Sequence, residues 1–218
     1  AGIAGLAALA LLLFCWLLPA SRHFLAQPLS LRGLLGNFAM HLRQASLRRL
    51  FLLAFLLMGC FVALFNYVGF RLAMPPFALS NSWIGLLFSV YLLGMLSAGW
   101  SGRLVLRWGA KPLVQAAIGL MLLGVALCAL PWLVAVVPGL ALFTLGFFAA
   151  HAVASGLLGQ RAQQAKAQAS ALYLFAYYLG SSVLGYAAGH IWQQAGWLVL
   201  LASLALLLSL ALGLLRRA

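Results

Sequence analysis

Residues 50–70 read LFLLAFLLMGCFVALFNYVGF and contain no charged side chain. A helix of about 20 apolar residues is long enough to cross the hydrocarbon core of a bilayer. This stretch therefore predicts a membrane-spanning helix, and the same criterion applied along the chain predicts seven. The predicted spans are residues 1–18, 50–70, 82–101, 112–130, 133–157, 169–190 and 196–215.

The composition of the whole chain agrees with an integral membrane protein. Hydrophobic residues make up 67% of the 218 residues, and the mean hydropathy is +1.14. Only 6% of the residues are charged, whereas charged residues make up about a quarter of an ordinary soluble domain. A soluble globule and a disordered chain are both excluded, because the first needs a charged surface and the second is poor in apolar residues. We predict an all-α integral membrane fold.

The chain has thirteen lysines and arginines and no aspartate or glutamate. Acid–base pairs of carboxylates, catalytic triads that use a carboxylate, and carboxylate cages for Ca²⁺ or Mg²⁺ are therefore excluded within this chain. We predict no catalytic residues, no metal site, no cofactor and no enzymatic activity. The net charge of +13 does not predict a nucleic-acid partner, because the cations lie scattered between apolar segments. Membrane lipid is the expected surrounding.

The cations predict the orientation of the chain. Connections between successive spans fall on alternate sides of the membrane, and twelve of the thirteen cations fall on one side, with Arg71 alone on the other. The positive-inside rule places the twelve in the cytoplasm, so the C-terminus is predicted to be cytoplasmic. The long connection at 19–49 carries five arginines and is predicted to be a cytoplasmic loop that contains a helix on the membrane surface.

A short cytoplasmic loop at 102–111 reads GRLVLRWGAK. It resembles the loop signature of the major facilitator superfamily, G-x-L-x-D-R-x-G-R-R/K, and Leu106 stands where the family carries its aspartate. The resemblance implies that four of the matching residues gate the movement of two helix bundles against each other. These residues are Gly102, Arg107, Gly109 and Lys111.

A second match is Leu18-Pro19-Ala20-Ser21, which resembles the L-P-E-S motif of drug-efflux members, with Ala20 in place of the acid. Together with the segments around 146–151 and 177–182, the chain is similar to YnfM-type (arabinose-efflux-permease-like) bacterial inner-membrane transport proteins. The resemblance implies secondary active efflux of a small organic molecule by alternating access. Residues 1–18 would be the last helix of an N-terminal bundle, 19–49 the central loop, and 50–218 the C-terminal six-helix bundle. The partner would be the missing N-terminal six-helix bundle.

Polar residues inside the spans are the candidates for a substrate path. Three of these residues share one face of the span 133–157. Two tyrosines and a serine form a stripe on the span 169–190. One asparagine lies toward the outer end of the span 50–70. These candidates are Thr144, His151 and Ser155, then Tyr173, Tyr177 and Ser181, then Asn66. Two spans carry few polar groups and are predicted to face lipid, namely residues 112–130 and 196–215.

His151 is the one histidine well inside a predicted span. Intramembrane ionisable groups are functional candidates by default, and histidine exchanges protons near neutral pH. Two interpretations stay open: a group that carries protons or contacts substrate, and a neutral structural histidine bonded to Ser155 or to a neighbouring helix. Two other functions are alternatives: an intramembrane serine hydrolase that uses Ser155 and a histidine, and a self-assembling half-transporter or membrane scaffold.

Overall fold

The structure of the protein is a computed structural model that describes residues 2–18 and 30–216. The described residues form helices and connections without a strand. The helices are α1 Gly2–Leu17, α2 Leu31–Arg43, α3 Ala45–Ala73, α4 Asn81–Leu87, α5 Tyr91–Trp108, α6 Ala110–Cys128, α7 Leu133–Arg161 and α8 Lys166–Arg216. A short 3₁₀ turn, Phe88–Val90, joins α4 to α5.

The chain divides into two compact units, residues 1–33 and 34–218. The first contains α1, which is apolar, buries none of its residues and is 16 residues long. A bilayer core needs about 20 residues, so a span at 1–18 stays a prediction. The match at Leu18–Ser21 falls on Pro19, Ala20 and Ser21, which lie outside the described residues.

The second unit confirms an all-α membrane fold. Five helical segments are long and apolar enough to cross a membrane, with α4 and α5 counted as one. The 51-residue α8 is broken at Gly196, whose φ of 78° and ψ of −172° lie outside the helical region. We call residues 166–195 and 197–216 its first and second arms. The six predicted spans between 50 and 215 therefore all correspond to helical segments.

Some helices extend beyond the predicted spans. Helix α3 begins at Ala45 rather than 50, so the last residues of the predicted loop 19–49 form its first turn. Residues 191–195 continue α8 rather than forming a loop, because the single glycine at 196 suffices to redirect the chain. Pro138 lies inside α7, six residues into the helix. A proline near a helix start removes only one interior backbone bond, and the long apolar segment that follows holds the helix.

Helix α3 is the centre of the second unit, and α5 lies at its edge. The most apolar window of α3 is 67% buried, against 11% for the window in α4–α5. The first arm of α8 approaches α3 where glycine faces glycine: a Cβ on Gly59 would lie 2.8 Å from the Gly180 carbonyl oxygen, and one on Gly180 would collide with the Phe55 backbone. Small residues allow this contact in a membrane, where lipid gives no hydrophobic reward for helix association.

Candidate functional site

A hydrogen bond between α7 and the first arm of α8 fixes the position of His151. The Tyr173 hydroxyl lies 3.1 Å from His151 Nδ1, and the Tyr177 ring lies one turn further along α8 with its centroid 4.8 Å from the imidazole. The stripe that the sequence predicted on α8 thus meets the polar face of α7 at His151. Tyr173 is buried, whereas His151 and Tyr177 are half-buried, so the imidazole is held from one side and open on another.

Aromatic rings continue from His151 into the core. The imidazole stacks on Phe147 at 6.0 Å and 8°, and Phe147 stacks on Phe61 of α3 at 4.0 Å and 20°. Phe61 also packs against Phe65 one turn along α3, with centroids 4.8 Å apart. Offset aromatic pairs at these separations stabilise a contact beyond the area they bury. The ring stack therefore gives His151 a rigid support.

A second branch of rings reaches the start of α5. Phe148 of α7 meets Phe61 edge-on, and Tyr91 packs 4.8 Å from Phe65 and stacks on Phe88. We refer to all these rings as the aromatic cluster: Phe61, Phe65, Phe88, Tyr91, Phe147, Phe148, His151, Tyr173 and Tyr177. Five members are half-buried, so the cluster has a closed side inside the bundle and a face that reaches its surface. That face offers π surfaces, hydroxyls and one imidazole.

Gly94 determines how closely α5 approaches this face. A Cβ on Gly94 would collide with the Phe148 ring. Three residues further along α5, the Ser97 hydroxyl donates to the Leu145 carbonyl oxygen of α7 at 2.7 Å. The two contacts fix α5 against α7 beside the aromatic cluster.

The remaining polar candidates occupy different environments. Thr144 is fully buried, and its hydroxyl donates to the Leu140 carbonyl of the same helix, so it is closed off from the exposed face. Ser155 and Asn66 are exposed, and Ser181 is half-buried. The structure thus brings His151, Tyr173 and Tyr177 together, and it leaves Thr144, Ser155, Ser181 and Asn66 outside that group.

An open groove runs between α5 and α7 on the side of the cluster toward the loop at 102–111. It has a volume of about 380 Å³, and small residues line it, among them Ala98 and Gly102 on α5 and Ala152 and Gly156 on α7. Ala152 follows His151 directly in the chain, but His151 itself does not line the groove. At its other end the lining includes Gly102, Leu106 and Ala110 of the predicted gating loop.

The predicted gating loop is a single-residue connection. Gly109 alone separates α5 from α6, with φ 81° and ψ 160°, a conformation that is essentially restricted to glycine. Its N–H donates to the Val105 carbonyl at 2.8 Å. Leu106, which stands where the resembled family carries an acid, is 87% exposed. Arg107 lies in the last turn of α5 and Lys111 in the first turn of α6, so both cations flank this connection.

Sequence reasoning placed Phe148 on the face of His151, but it missed the other phenylalanines of the aromatic cluster, which are Phe61, Phe65, Phe88 and Phe147. Phe61 and Phe65 lie in an uninterrupted apolar run, where they resemble lipid-facing residues. Their spacing of four places them on one face of α3, which is the signal that could have found them. Nothing in the sequence indicates that α7 supplies Phe147 to the same stack.

The hydrogen bonds of His151 give no support to hydrolase chemistry. Among the described residues its imidazole bonds to Tyr173, and no hydrogen bond joins it to Ser155. A serine nucleophile needs a base within hydrogen-bonding reach. The aromatic surroundings suit binding of an organic molecule better than activation of a hydroxyl.

Sequence comparison gives the family. No family model matches the chain. It is 44% identical over 209 residues to the inner membrane transport protein YnfM of Escherichia coli, covering 95% of this chain and 50% of that protein. It is 41% identical over 197 residues to the uncharacterized MFS-type transporter YybF of Bacillus subtilis, covering 90% of this chain and 49% of that protein.

An uncharacterized transporter of Buchnera aphidicola subsp. Schizaphis graminum is 38% identical over 206 residues, which are 92% of this chain and 50% of that protein. The chain thus spans about half the length of the curated relatives it matches. Identity at this level over nearly the whole chain, together with a membrane fold of apolar helices, shows that this multi-pass membrane chain belongs to the major facilitator superfamily.

Proposed function

We propose that this chain supplies the C-terminal half of a secondary transporter that exports a small organic molecule by alternating access. Residues 45–216 form its six-helix bundle, and residues 1–18 the last helix of an N-terminal bundle that completes the transporter. The bacterial inner membrane is the proposed location, with the C-terminus in the cytoplasm. The support for this orientation is the distribution of the cations, twelve on one side and one on the other.

The exposed face of the aromatic cluster is the observation that carries the proposal. His151, Tyr91 and Tyr177 are half-buried, and they come from three different helices. A substrate path between two bundles needs such a face, whose rings are packed against the interior of one bundle and are accessible on the other side. The π surfaces and neutral polar groups suit a molecule with an apolar or aromatic body, and they offer no carboxylate to pair with a cation.

The unpartnered surface of α5 supports a second bundle as partner. The most apolar window of α4–α5 is only 11% buried within the chain, and Met95 and Trp100 are 68% and 59% exposed. The curated relatives are about twice as long as the matched region. We assign this surface to the N-terminal half, which would close the substrate path over the aromatic cluster and the α5–α7 groove.

Cysteine accessibility tests where the path runs. Ser155→Cys would be introduced into a Cys15→Ala background, because Cys15 is exposed whereas Cys60 and Cys128 are buried. The chain would be expressed together with an N-terminal half, and sealed vesicles of known orientation would be treated with a charged, membrane-impermeant maleimide. We expect labelling of Ser155→Cys from the cytoplasmic face, because Ser155 is exposed and lies near the groove.

Ser209→Cys is the matched control. Ser209 is also exposed, but it lies on the second arm of α8, which we assign to the lipid side. A charged reagent does not enter lipid, so this variant should stay unlabelled. Equal labelling of the two variants would contradict the proposed path.

Efflux itself is tested by the retention of Nile red, an uncharged aromatic dye, in cells that express both halves. We expect His151→Ala to abolish or weaken export and to change its pH dependence, with Tyr173 and Tyr177 as the titratable groups in contact with the imidazole. His190→Ala serves as the control, because His190 is exposed and lies near the far end of the first arm of α8, away from Tyr173 and Tyr177. Full pH dependence in His151→Ala would remove the histidine from the mechanism.

Export by cells that express this chain without an N-terminal half would favour the self-assembling alternative.

A further inference from the structure

A buried histidine joins α2 to the connection between α7 and α8. His41 lies in the last turn of α2 and is only 1% exposed. Its Nε2 lies 3.2 Å from the carbonyl oxygen of Ala165, 124 positions further along the chain. A carbonyl only accepts hydrogen bonds, so Nε2 carries the proton and donates it. We call this bond the latch, because it attaches α2 to a distant part of the bundle.

One edge of α2 is buried together with His41. Leu34 and Phe38 precede His41 by seven and three positions, so they lie on the same face of the helix, and both are half-buried. Leu31 and Leu35 are instead 80% and 67% exposed. Within Leu31–Arg43, His41 is the one residue that is fully buried. The attachment of α2 is therefore concentrated at this side chain.

Arg48 of α3 holds the same end of α2. Its Nη1 donates to the carbonyl oxygens of Leu42 and Arg43, at 2.9 and 3.0 Å. The last carbonyls of a helix have no partner within that helix, and a cation near them also interacts favourably with the helix dipole. The end of α2 is thus fixed by two contacts, one to α3 and one to the α7–α8 connection.

The acceptor of the latch lies at a strained position. Ala165 has a φ of 44°, in the left-handed region that alanine rarely adopts. Its carbonyl also accepts the N–H groups of Gln168 and Ala169, at 3.0 and 3.2 Å, and these bonds form the first turn of α8. A strained residue persists where the surrounding contacts determine its conformation. His41 supplies such a contact, so the latch acts on the start of α8 as well as on α2.

We propose that His41 is a positioning residue that holds α2 against the start of α8, so that α2 is a fixed part of the second unit. The other ring nitrogen, Nδ1, is buried and bonds to no group among the described residues, so the latch is the whole hydrogen-bonded attachment of this side chain. The inference goes beyond transport and does not depend on the substrate. In a transporter with two bundles, any movement of this bundle would carry α2 with it.

Hydrogen–deuterium exchange of the purified full chain in lipid nanodiscs tests the latch, with mass spectrometry of peptides from α2. We expect His41→Ala to speed amide exchange in α2 by about three- to tenfold, the net contribution of one hydrogen bond. A helix of 13 residues is only marginally stable when nothing packs against it. Exchange in α3 and α6 should stay unchanged, which would show that the variant is folded. His41→Gln keeps an N–H donor and should restore part of the protection.

Leu42→Ala is the matched control, because it shortens a neighbour of His41 that is 48% exposed and takes no part in the latch. Its α2 amides should exchange as in the unmodified chain. Equal acceleration by Leu42→Ala, or none by His41→Ala, would overturn the proposal. Exchange in His41→Gln as fast as in His41→Ala would assign the effect to packing and also overturn it. So would acceleration throughout α3–α8, because the histidine would then support the whole fold rather than α2.

Discussion

The Tyr173 hydroxyl lies 3.1 Å from His151 Nδ1, and this hydrogen bond joins α8 to α7 in a part of the bundle where Tyr173 is only 2% exposed. The bond fixes one ring nitrogen of the histidine, and the stack on Phe147 fixes the plane of the ring. The two contacts together hold the imidazole in one orientation. A histidine that binds substrate or carries a proton needs this kind of positioning.

Tyr173→Phe should separate this positioning from packing, because it removes the hydroxyl and keeps the ring. Interhelical hydrogen bonds in membrane proteins contribute about 0.6 kcal/mol on average, so we expect a loss of about 0.5–1 kcal/mol in the free energy of unfolding. The pH profile of transport should change as well, because the imidazole loses its partner. Unfolding in mixed micelles and transport at several pH values are the measurements.

Tyr178→Phe is the control for that variant. Tyr178 follows Tyr177 on the same helix, is 61% exposed, and packs its ring edge-on against Tyr177. Removal of its hydroxyl should leave stability and the pH profile unchanged. A similar change in both variants would mean that the Tyr173 hydroxyl has no special role.

Gly180→Ala should weaken the contact between α3 and the first arm of α8. The new methyl group would collide with the backbone of Phe55, and backbone cannot rotate away as a side chain can. Overpacking of this kind costs about 1–3 kcal/mol, which thermal unfolding in detergent would detect as a lower midpoint. Gly119→Ala is the control, because nothing lies within 4 Å of a Cβ at that position. A stability of Gly180→Ala equal to that of Gly119→Ala would show that the helices separate without cost.

The spans could be predicted from the sequence because a bilayer requires about 20 apolar residues per crossing, and long apolar runs are visible without any tertiary information. The end of one span and the start of the next were less predictable. In α8 the whole break is Gly196, and a single residue carries too little signal to distinguish an uninterrupted helix from two helices and a loop. The start of α3 at Ala45 was hidden by Arg48 and Arg49, which resemble loop residues although a helix can continue past the membrane surface.

Half of the candidate site could be predicted for a similar reason. A histidine inside an apolar run is visible in the sequence, as is the spacing of Tyr173 and Tyr177. The phenylalanines that support His151 could not be found, since in a membrane protein apolar residues face both lipid and core. Thr144 shows the opposite error, because a polar residue on the same helical face as His151 is bonded to its own helix instead.

Gly109→Ala should destabilise the bundle, because the glycine adopts φ 81° and ψ 160°. A side chain in this region costs about 1–3 kcal/mol, and the turn has no second residue that could absorb the change. We expect a lower unfolding midpoint together with weaker transport. Gly102→Ala should leave the midpoint unchanged, since no atom lies within 4 Å of its Cβ position. If Gly109→Ala unfolds like the unmodified chain, the strained turn is not required for the fold.

The contact between Gly94 and Phe148 should behave as a coupled pair. Gly94→Ala alone would press a methyl group against the Phe148 ring, and Phe148→Leu alone would remove the edge-on contacts of that ring with Phe61 and Tyr91. In the double variant the smaller leucine makes room for the new methyl group, so the two losses should not add. Residues in direct contact show interaction energies of about 0.5–3 kcal/mol, and a cycle of four unfolding measurements gives this value. If the two losses add fully, Gly94 and Phe148 are not in contact. The helices α5 and α7 would then lie further apart, and the aromatic cluster would be more exposed than in the structure.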